Sequence, residues 1–211
     1  MIYGNCSKEN PLKKFVILIL SLLIATVSVT AQEAKVSVGL NGTVDVTNLY
    51  GTFSGSSGTQ SATFVGVNAY VDLIYGVVSI GYAAQAGSPV FSGGLVNLPS
   101  VNQHTGYLVL RAVGKIPIQI AGGFVLFPLL GIEGDIMVTN DQLQVFTASN
   151  NNNNAFIVAG LGADLDLGPL FYLRLSTDFD LNLTALSAVN SSGFPNSGFK
   201  FNGAVGLGIK L

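Results

Sequence analysis

Residues 198–211 read GFKFNGAVGLGIKL, and this stretch decides the fold. Phe199, Phe201, Val205, Leu207, Ile209 and Leu211 share one parity, with Gly203 among them. Lys200, Asn202, Ala204, Gly206, Gly208 and Lys210 share the other. Successive side chains of a strand point to opposite faces, so the alternation describes a strand that is apolar on one side only.

The same step of two recurs upstream and yields seven more strands. The first, near 35–47, sets Val36, Val38, Leu40, Val44 and Val46 against Ser37, Asn41, Thr43 and Asp45. The second, near 61–74, sets Val65, Val67, Ala69, Val71 and Leu73 against Gly66, Asn68, Tyr70 and Asp72. A two-residue turn at Tyr75-Gly76 leads to a third near 77–86, with Val78, Ile80 and Tyr82. A fourth near 105–114 places Leu108, Leu110 and Ala112 opposite Arg111. A fifth near 123–137 turns Leu130, Ile132 and Ile136 away from Glu133 and Asp135. The sixth alternates Ile157 to Leu167 with Asp164 and Asp166. After Gly168-Pro-Leu170 the seventh alternates Phe171 to Leu181 with Arg174, Asp178 and Asp180.

Connections alternate in length. The segments 48–60, 87–104, 138–154 and 185–197 are long and rich in Gly, Ser and Asn, whereas those at 75–76, around 115–122, and at 168–170 are short. Short turns on one side and long loops on the other mark an up-and-down transmembrane barrel, not a Greek-key sandwich.

Composition agrees. The chain is 49% apolar but only 9% charged, against about 25% charged in a soluble domain. No run after residue 31 is long enough for a spanning helix, which needs roughly 18 apolar residues. Ahead of it, Lys13 and Lys14 precede an apolar core from Phe15 to Ile24 and small residues at Val29-Thr-Ala31. This describes a secretory signal cut before Gln32, giving an N-terminal extension and signal over 1–31 and a barrel domain over 32–211. The one cysteine, Cys6, falls before the signal core, so the mature chain has no disulfide chemistry. The mature chain carries six bases and ten acids, a net charge of −4 with no basic patch for nucleic acid.

A soluble barrel would dress its polar face in Lys, Glu and Thr. Here that face is mostly Gly, Ser, Ala and Asn with scattered charges, which suits a narrow interior filled by side chains. The apolar face is therefore expected to meet lipid, and closure removes the sheet edges that lipid does not tolerate. Tyr75, Phe124 and Phe171 at one end, with Phe156, Phe179, Phe199 and Phe201 at the other, are expected to form aromatic girdles.

The charges then point inward. A turn centred on Pro169 sets Asp164 across from Arg174 and Asp166 across from Tyr172, and a cross-strand charge pair adds about 0.2–1 kcal/mol. Asp72, Arg111 and Lys210 are expected at a similar depth, completing a periplasmic-side cluster. Asp45, Glu133, Asp135, Asp178 and Asp180 crowd the opposite half, with Lys200 as its only base. They read either as a cation-attracting mouth or calcium site, or as a network satisfied by Asn182, Asn202, Tyr70 and water.

Little else carries chemistry. His104 with Ser100 or Ser88 and Asp141 supplies the residue types of a triad, but no motif sets the geometry a nucleophile needs. Gly160-Leu-Gly162 lacks the third glycine and helix of a dinucleotide loop, and no zinc spacing occurs. No enzyme activity and no cofactor are expected.

With these strands in view the chain resembles the small eight-stranded outer-membrane barrels, the OmpA-type transmembrane domain and its relatives, over roughly 33–211. Residues 124–133, FVLFPLLGIE, look like the central strand of small spirochaete outer-membrane proteins. Leu211 departs from the terminal Phe usual in such barrels, although Val205, Leu207 and Ile209 keep the alternation. The resemblance implies an all-β, closed, antiparallel eight-stranded barrel in a bacterial outer membrane, monomeric and non-catalytic. Its partners would be outer-membrane lipid and lipopolysaccharide or an equivalent, the barrel assembly machinery, and an extracellular ligand met through the loops. A narrow porin-like channel for small solutes and a secreted soluble barrel holding an apolar ligand are the alternatives.

Overall fold

A computed structural model describes residues 36–53, 56–93, 105–140, 153–183 and 197–211. The signal segment, His104, Ser100 and Asp141 lie outside the described residues. Ten strands follow in order: β1 Ser37–Phe53, β2 Ser56–Leu73, β3 Gly76–Gln85, β4 Val90–Gly93, β5 Thr105–Lys115, β6 Ile118–Ala121, β7 Phe124–Asn140, β8 Asn154–Asp166, β9 Phe171–Asn182 and β10 Ser197–Lys210. Eight of them pair antiparallel around a ring, β1-β2-β3-β5-β7-β8-β9-β10, and β10 returns to β1. The short β4 continues the edge of β3 against β2, and the short β6 continues that of β5 against β7. The sheet is a closed eight-stranded barrel.

Register fixes its proportions. Followed from partner to partner, Ser37 leads through Asp72, Val77, Val113, Gly131, Val158, Asp180 and Lys200 back to β1 at Thr47, ten residues along. With strands ~4.8 Å apart and ~3.3 Å per residue, a ten-residue stagger over eight strands tilts them by about 40° and gives a radius of about 8 Å. Such a lumen is one side chain deep from each wall.

The apolar parity faces outward on all eight strands. Leu40, Val67, Ile80, Leu130, Leu161, Leu175 and Val205 are exposed, and no described charged side chain lies among them. An outward apolar band of this kind is the lipid-facing surface of a transmembrane barrel. Phe179 stacks on Phe199 at 5.3 Å and Tyr50 tilts against Phe199 at 6.0 Å, giving aromatic cover at the long-loop end. Tyr75 and Phe171 are exposed at the other. Phe156 does not join a girdle: it has the parity of Val158, points into the lumen and is buried.

Segment 48–60, expected as a loop, is largely strand. The β1–β2 hairpin stays paired from Thr47↔Ala62 to Phe53↔Ser56, seven pairs beyond Val46 that raise it by ~18 Å at this tilt. Near the opposite end the ladder is interrupted between β5 and β6, with a further register shift between Gln119 and Ala121. β5 pairs with β7 up to Lys115↔Leu129, and β6 resumes at Ile118↔Leu126. Pro117 and Pro128 flank the break, and neither has an N–H to leave unpaired.

Lumen glycines make room for lumen rings. Gly39, Gly162 and Gly208 stand directly across from Tyr70, Phe127 and Tyr172. A Cβ at Gly162 would lie 2.1 Å from the Phe127 ring, and one at Gly208 2.2 Å from that of Tyr172. The large side chain of each pair therefore lies flat over the bare backbone of its neighbour. Small residues on the polar face are the sockets of a packed interior.

Candidate functional site

The lumen holds two ion-paired layers separated by a small chamber. The lower layer centres on Arg174 from β9, buried to 3%. Its Nε and Nη2 donate to the two Asp164 carboxylate oxygens at 2.7 and 2.6 Å, and Nη2 also donates to Asp72. Asp164 stands directly across from Arg174 in the β8–β9 register, as the turn at Pro169 requires. Lys115 Nζ donates to Asp72 from the other side, at 2.6 and 2.8 Å. The guanidinium carbon lies 4.9 Å from the Tyr70 ring centre, 5.2 Å from Phe127 and 5.3 Å from Tyr172, so its planar faces meet aromatic π-clouds while its edges meet carboxylates. Tyr172 in turn hydrogen-bonds Ser37 at 2.9 Å. Two acids and two bases balance, and the layer links β2, β5, β8 and β9 across the lumen.

Above it lies a cavity of about 40 Å³ between Asn41, Asn68, Ser79, Ser176, Arg111 and Arg174. Val77, Val113, Phe127 and Leu129 join the lining; the volume suits about three waters, which would satisfy Arg174 Nη1 and the Asn41 and Asn68 side-chain oxygens, otherwise without partners.

The upper layer collects Asp45 from β1, Arg111 from β5, Glu133 and Asp135 from β7, Asp178 and Asp180 from β9, and Lys200 with Asn202 from β10. Glu133 holds both bases, accepting from Lys200 Nζ through Oε1 and facing Arg111 Nη1 through Oε2 at 3.6 Å. Arg111 Nη2 reaches Asp178 at 2.6 Å, and Lys200 reaches Asp135 at 3.2 Å and Asp180 at 3.9 Å. Asn202 Nδ2 donates to Asp45. Lys200 also sits 4.5 Å above the Phe156 ring. Beside these charges, Phe64, Ala83, Tyr107 and Val109 form an apolar wall, with Phe64 and Tyr107 edge to face at 5.5 Å.

The structure moves two of the expected charges and adds a third. Arg111 stands across from Glu133 and belongs to the upper layer, so Lys200 is not its only base. Lys115, passed over in the sequence, takes the lower place because β5 runs on to that residue with the inward parity of Arg111 and Val113. Lys210 leaves the lower cluster and pairs with Asp166 at 2.6 Å at the rim, where both remain over a third exposed. Among the described residues no three Asp, Glu, His or Cys side chains are arranged to hold a metal ion by themselves.

Wall and lumen together define a transmembrane-type eight-stranded β-barrel with an ion-paired core. No protein-family model matches the chain, and no curated protein matches it. Solved structures of similar form include Neisserial surface protein A (NspA), at 10% identity and TM-score 0.46 over 85% of this chain and all of that one. Ail, the attachment invasion locus protein of Yersinia pestis, was solved with the heparin analogue sucrose octasulfate; it is 11% identical at TM-score 0.39, over 84% of this chain and 99% of that one. The outer membrane protease OmpT from Escherichia coli is 8% identical at TM-score 0.39, over 86% of this chain and 98% of that one. These are likenesses of form at very low identity.

Proposed function

We propose that the chain is a non-catalytic bacterial outer-membrane protein, inserted after removal of a signal ending at Ala31 and presenting its long loops and the raised β1–β2 hairpin at the cell surface. The reading rests on one observation: the outward side chains are mostly apolar and none of the described ones is charged, while the charged residues Arg174, Asp72, Asp164 and Lys115 pair with one another inside. A wall so apolar wants lipid, and a core so filled leaves the projecting ends as the part that meets other molecules. Barrel assembly machinery and outer-leaflet lipid are its expected partners in the membrane. Outer-membrane fractionation followed by surface proteolysis tests the reading: strands should be protected and loops cut in intact cells. Recovery of the mature chain in the detergent-free soluble fraction would refute it.

A second reading, a narrow solute channel, is favoured by the 40 Å³ chamber and by the five acids against two bases above it. It requires the lower layer to part. Folded protein in planar bilayers should be electrically silent on the first reading and conduct cations on the second.

A further inference from the structure

The β1–β2 hairpin continues the outer wall past the lipid-facing band, and its outward face changes character there. Register sets two rows across the neighbouring strands. Phe199 of β10, Asn48 of β1, Ser61 of β2 and Val90 of β4 stand side by side in the first. Tyr50, Thr59 and Ser92 stand in the second, two residues further out. Both rows share the parity of Val44 and Val46, so they lie on the same surface as the wall and directly above it. Ser61 donates to Asn48 Oδ1 at 2.6 Å, a bond that occupies the amide oxygen and not its N–H groups. Tyr50 is exposed and tilts against Phe199 at 6.0 Å. None of these residues is charged, and the same holds for the connections around them. Segments 48–60, 87–104 and 185–197 contain no Lys, Arg, Asp or Glu, and 138–154 contains Asp141 alone. A soluble domain carries about 25% charged residues, so a face meeting only bulk water would be expected to hold many more.

The described bases are engaged elsewhere: Arg111, Lys115, Arg174 and Lys200 inside the lumen, and Lys210 at the opposite rim. Anionic headgroups are held by Lys and Arg beside the membrane, and the long connections supply none. The face presents instead neutral donors and acceptors beside aromatic rings, on a grid of ~4.8 Å between strands and ~6.6–7 Å between rows. Hydroxyls and amides exchange hydrogen bonds with sugar hydroxyls, and an aromatic face covers the apolar C–H side of a sugar ring. We propose that the outward face of the raised hairpin binds the uncharged sugar headgroup of an outer-leaflet glycolipid, with Tyr50 and Phe199 against the ring and Asn48, Thr59 and Ser92 on its hydroxyls. The lipid source follows from continuity. Acyl chains against Val44, Val46 and Phe201 end just below these rows, so a headgroup is what stands beside them. The inference rests on the membrane reading above and names the chemistry of the outer leaflet.

The test is the urea midpoint of the mature barrel refolded into phosphatidylcholine vesicles, alone and with digalactosyl diacylglycerol, phosphatidylglycerol or lipid A added. The neutral glycolipid should raise the midpoint, since a ligand that binds only the folded state stabilises it, and neither anionic lipid should. Tyr50→Ala and Asn48→Ala should abolish the rise, while Lys210→Ala keeps it. No rise in wild type, or an equal rise in Tyr50→Ala, would overturn the proposal, and so would a larger rise with lipid A. Free digalactose lacks the local concentration that anchoring gives and should leave the midpoint unchanged; an equal effect would assign the face to a soluble glycan and overturn the lipid source. A dimer cross-linked in wild type and lost in Tyr50→Ala would assign the face to a second copy instead. Failure to fold into phosphatidylcholine alone would overturn the membrane reading and this inference with it, whereas folding there without a response to the glycolipid removes this inference only.

Discussion

Replacing Arg174 by alanine isolates the worth of the lower layer. The guanidinium is buried, bridges Asp164 through two hydrogen bonds of 2.7 and 2.6 Å, reaches Asp72, and lies against three aromatic rings. Removing it leaves Asp164 without a cation, while Asp72 retains Lys115 at 2.6 Å. Removing one partner of a buried pair costs about 3–5 kcal/mol, because the remaining charge is stranded in low dielectric. Lost contact with the rings adds about 0.5–2 kcal/mol. Arg174→Ala should therefore destabilise the barrel by about 3.5–7 kcal/mol. Asp164→Ala in the same chain should return part of that, since one stranded carboxylate is gone. The rim pair is the internal control. Lys210 and Asp166 are as close, at 2.6 Å, but solvent screens them, so Lys210→Ala should cost less than about 1 kcal/mol. Urea unfolding of refolded protein, followed by tryptic protection and gel mobility, measures all four species. Equal midpoints for Arg174→Ala and Lys210→Ala would refute the idea that burial and bridging, and not proximity alone, give Arg174 its weight.

Three further outcomes follow from wall and lumen geometry. Gly162→Ala should destabilise by about 1–3 kcal/mol, because the new methyl meets the Phe127 ring, whereas Gly203→Ala, with open space around it, should leave the urea midpoint unchanged. Leu130→Arg, at an outward site 66% exposed near mid-height of the wall, should cost about 2–4 kcal/mol of folding free energy in lipid vesicles. Leu211→Arg at the rim should cost about 0–1 kcal/mol, and equal costs would argue against a lipid-facing wall. Phe127→Ala should enlarge the chamber and remove a shared face of Arg174 and Lys115, lowering stability by about 3–5 kcal/mol as read by urea midpoint.

Much of this architecture is legible in strand periodicity. Parity alone places Leu40, Val67, Leu161 and Val205 outward, and a turn at Pro169 suffices to pair Asp164 with Arg174. Depth is not legible in the same way. Arg111 and Lys115 have the same parity four residues apart, and which of them meets Asp72 depends on the ten-residue stagger around the closed ring, which no single hairpin reveals. Nor does composition explain the lumen glycines, whose partners are rings on the adjacent strand. Phe156 was the reverse case: aromatic residues suggest an interface, yet its parity already assigns it to the interior beside Lys200.

The pairing of β1 with β10 carries a consequence in time. Ser37 meets Lys210, and Tyr50 meets Ser197, across almost the whole described chain. Every other neighbouring pair in the ring can zip from a hairpin as it emerges, but this ladder cannot begin until both ends are present. Such distant contacts are slow to form because the loop entropy is lost before any contact compensates it. Until then the growing sheet presents two bare edges, which in water invite association and in lipid strand their N–H and C=O groups. Shielding is needed most in the interval before the seam forms, and the strand 198–211 sets how long that interval lasts.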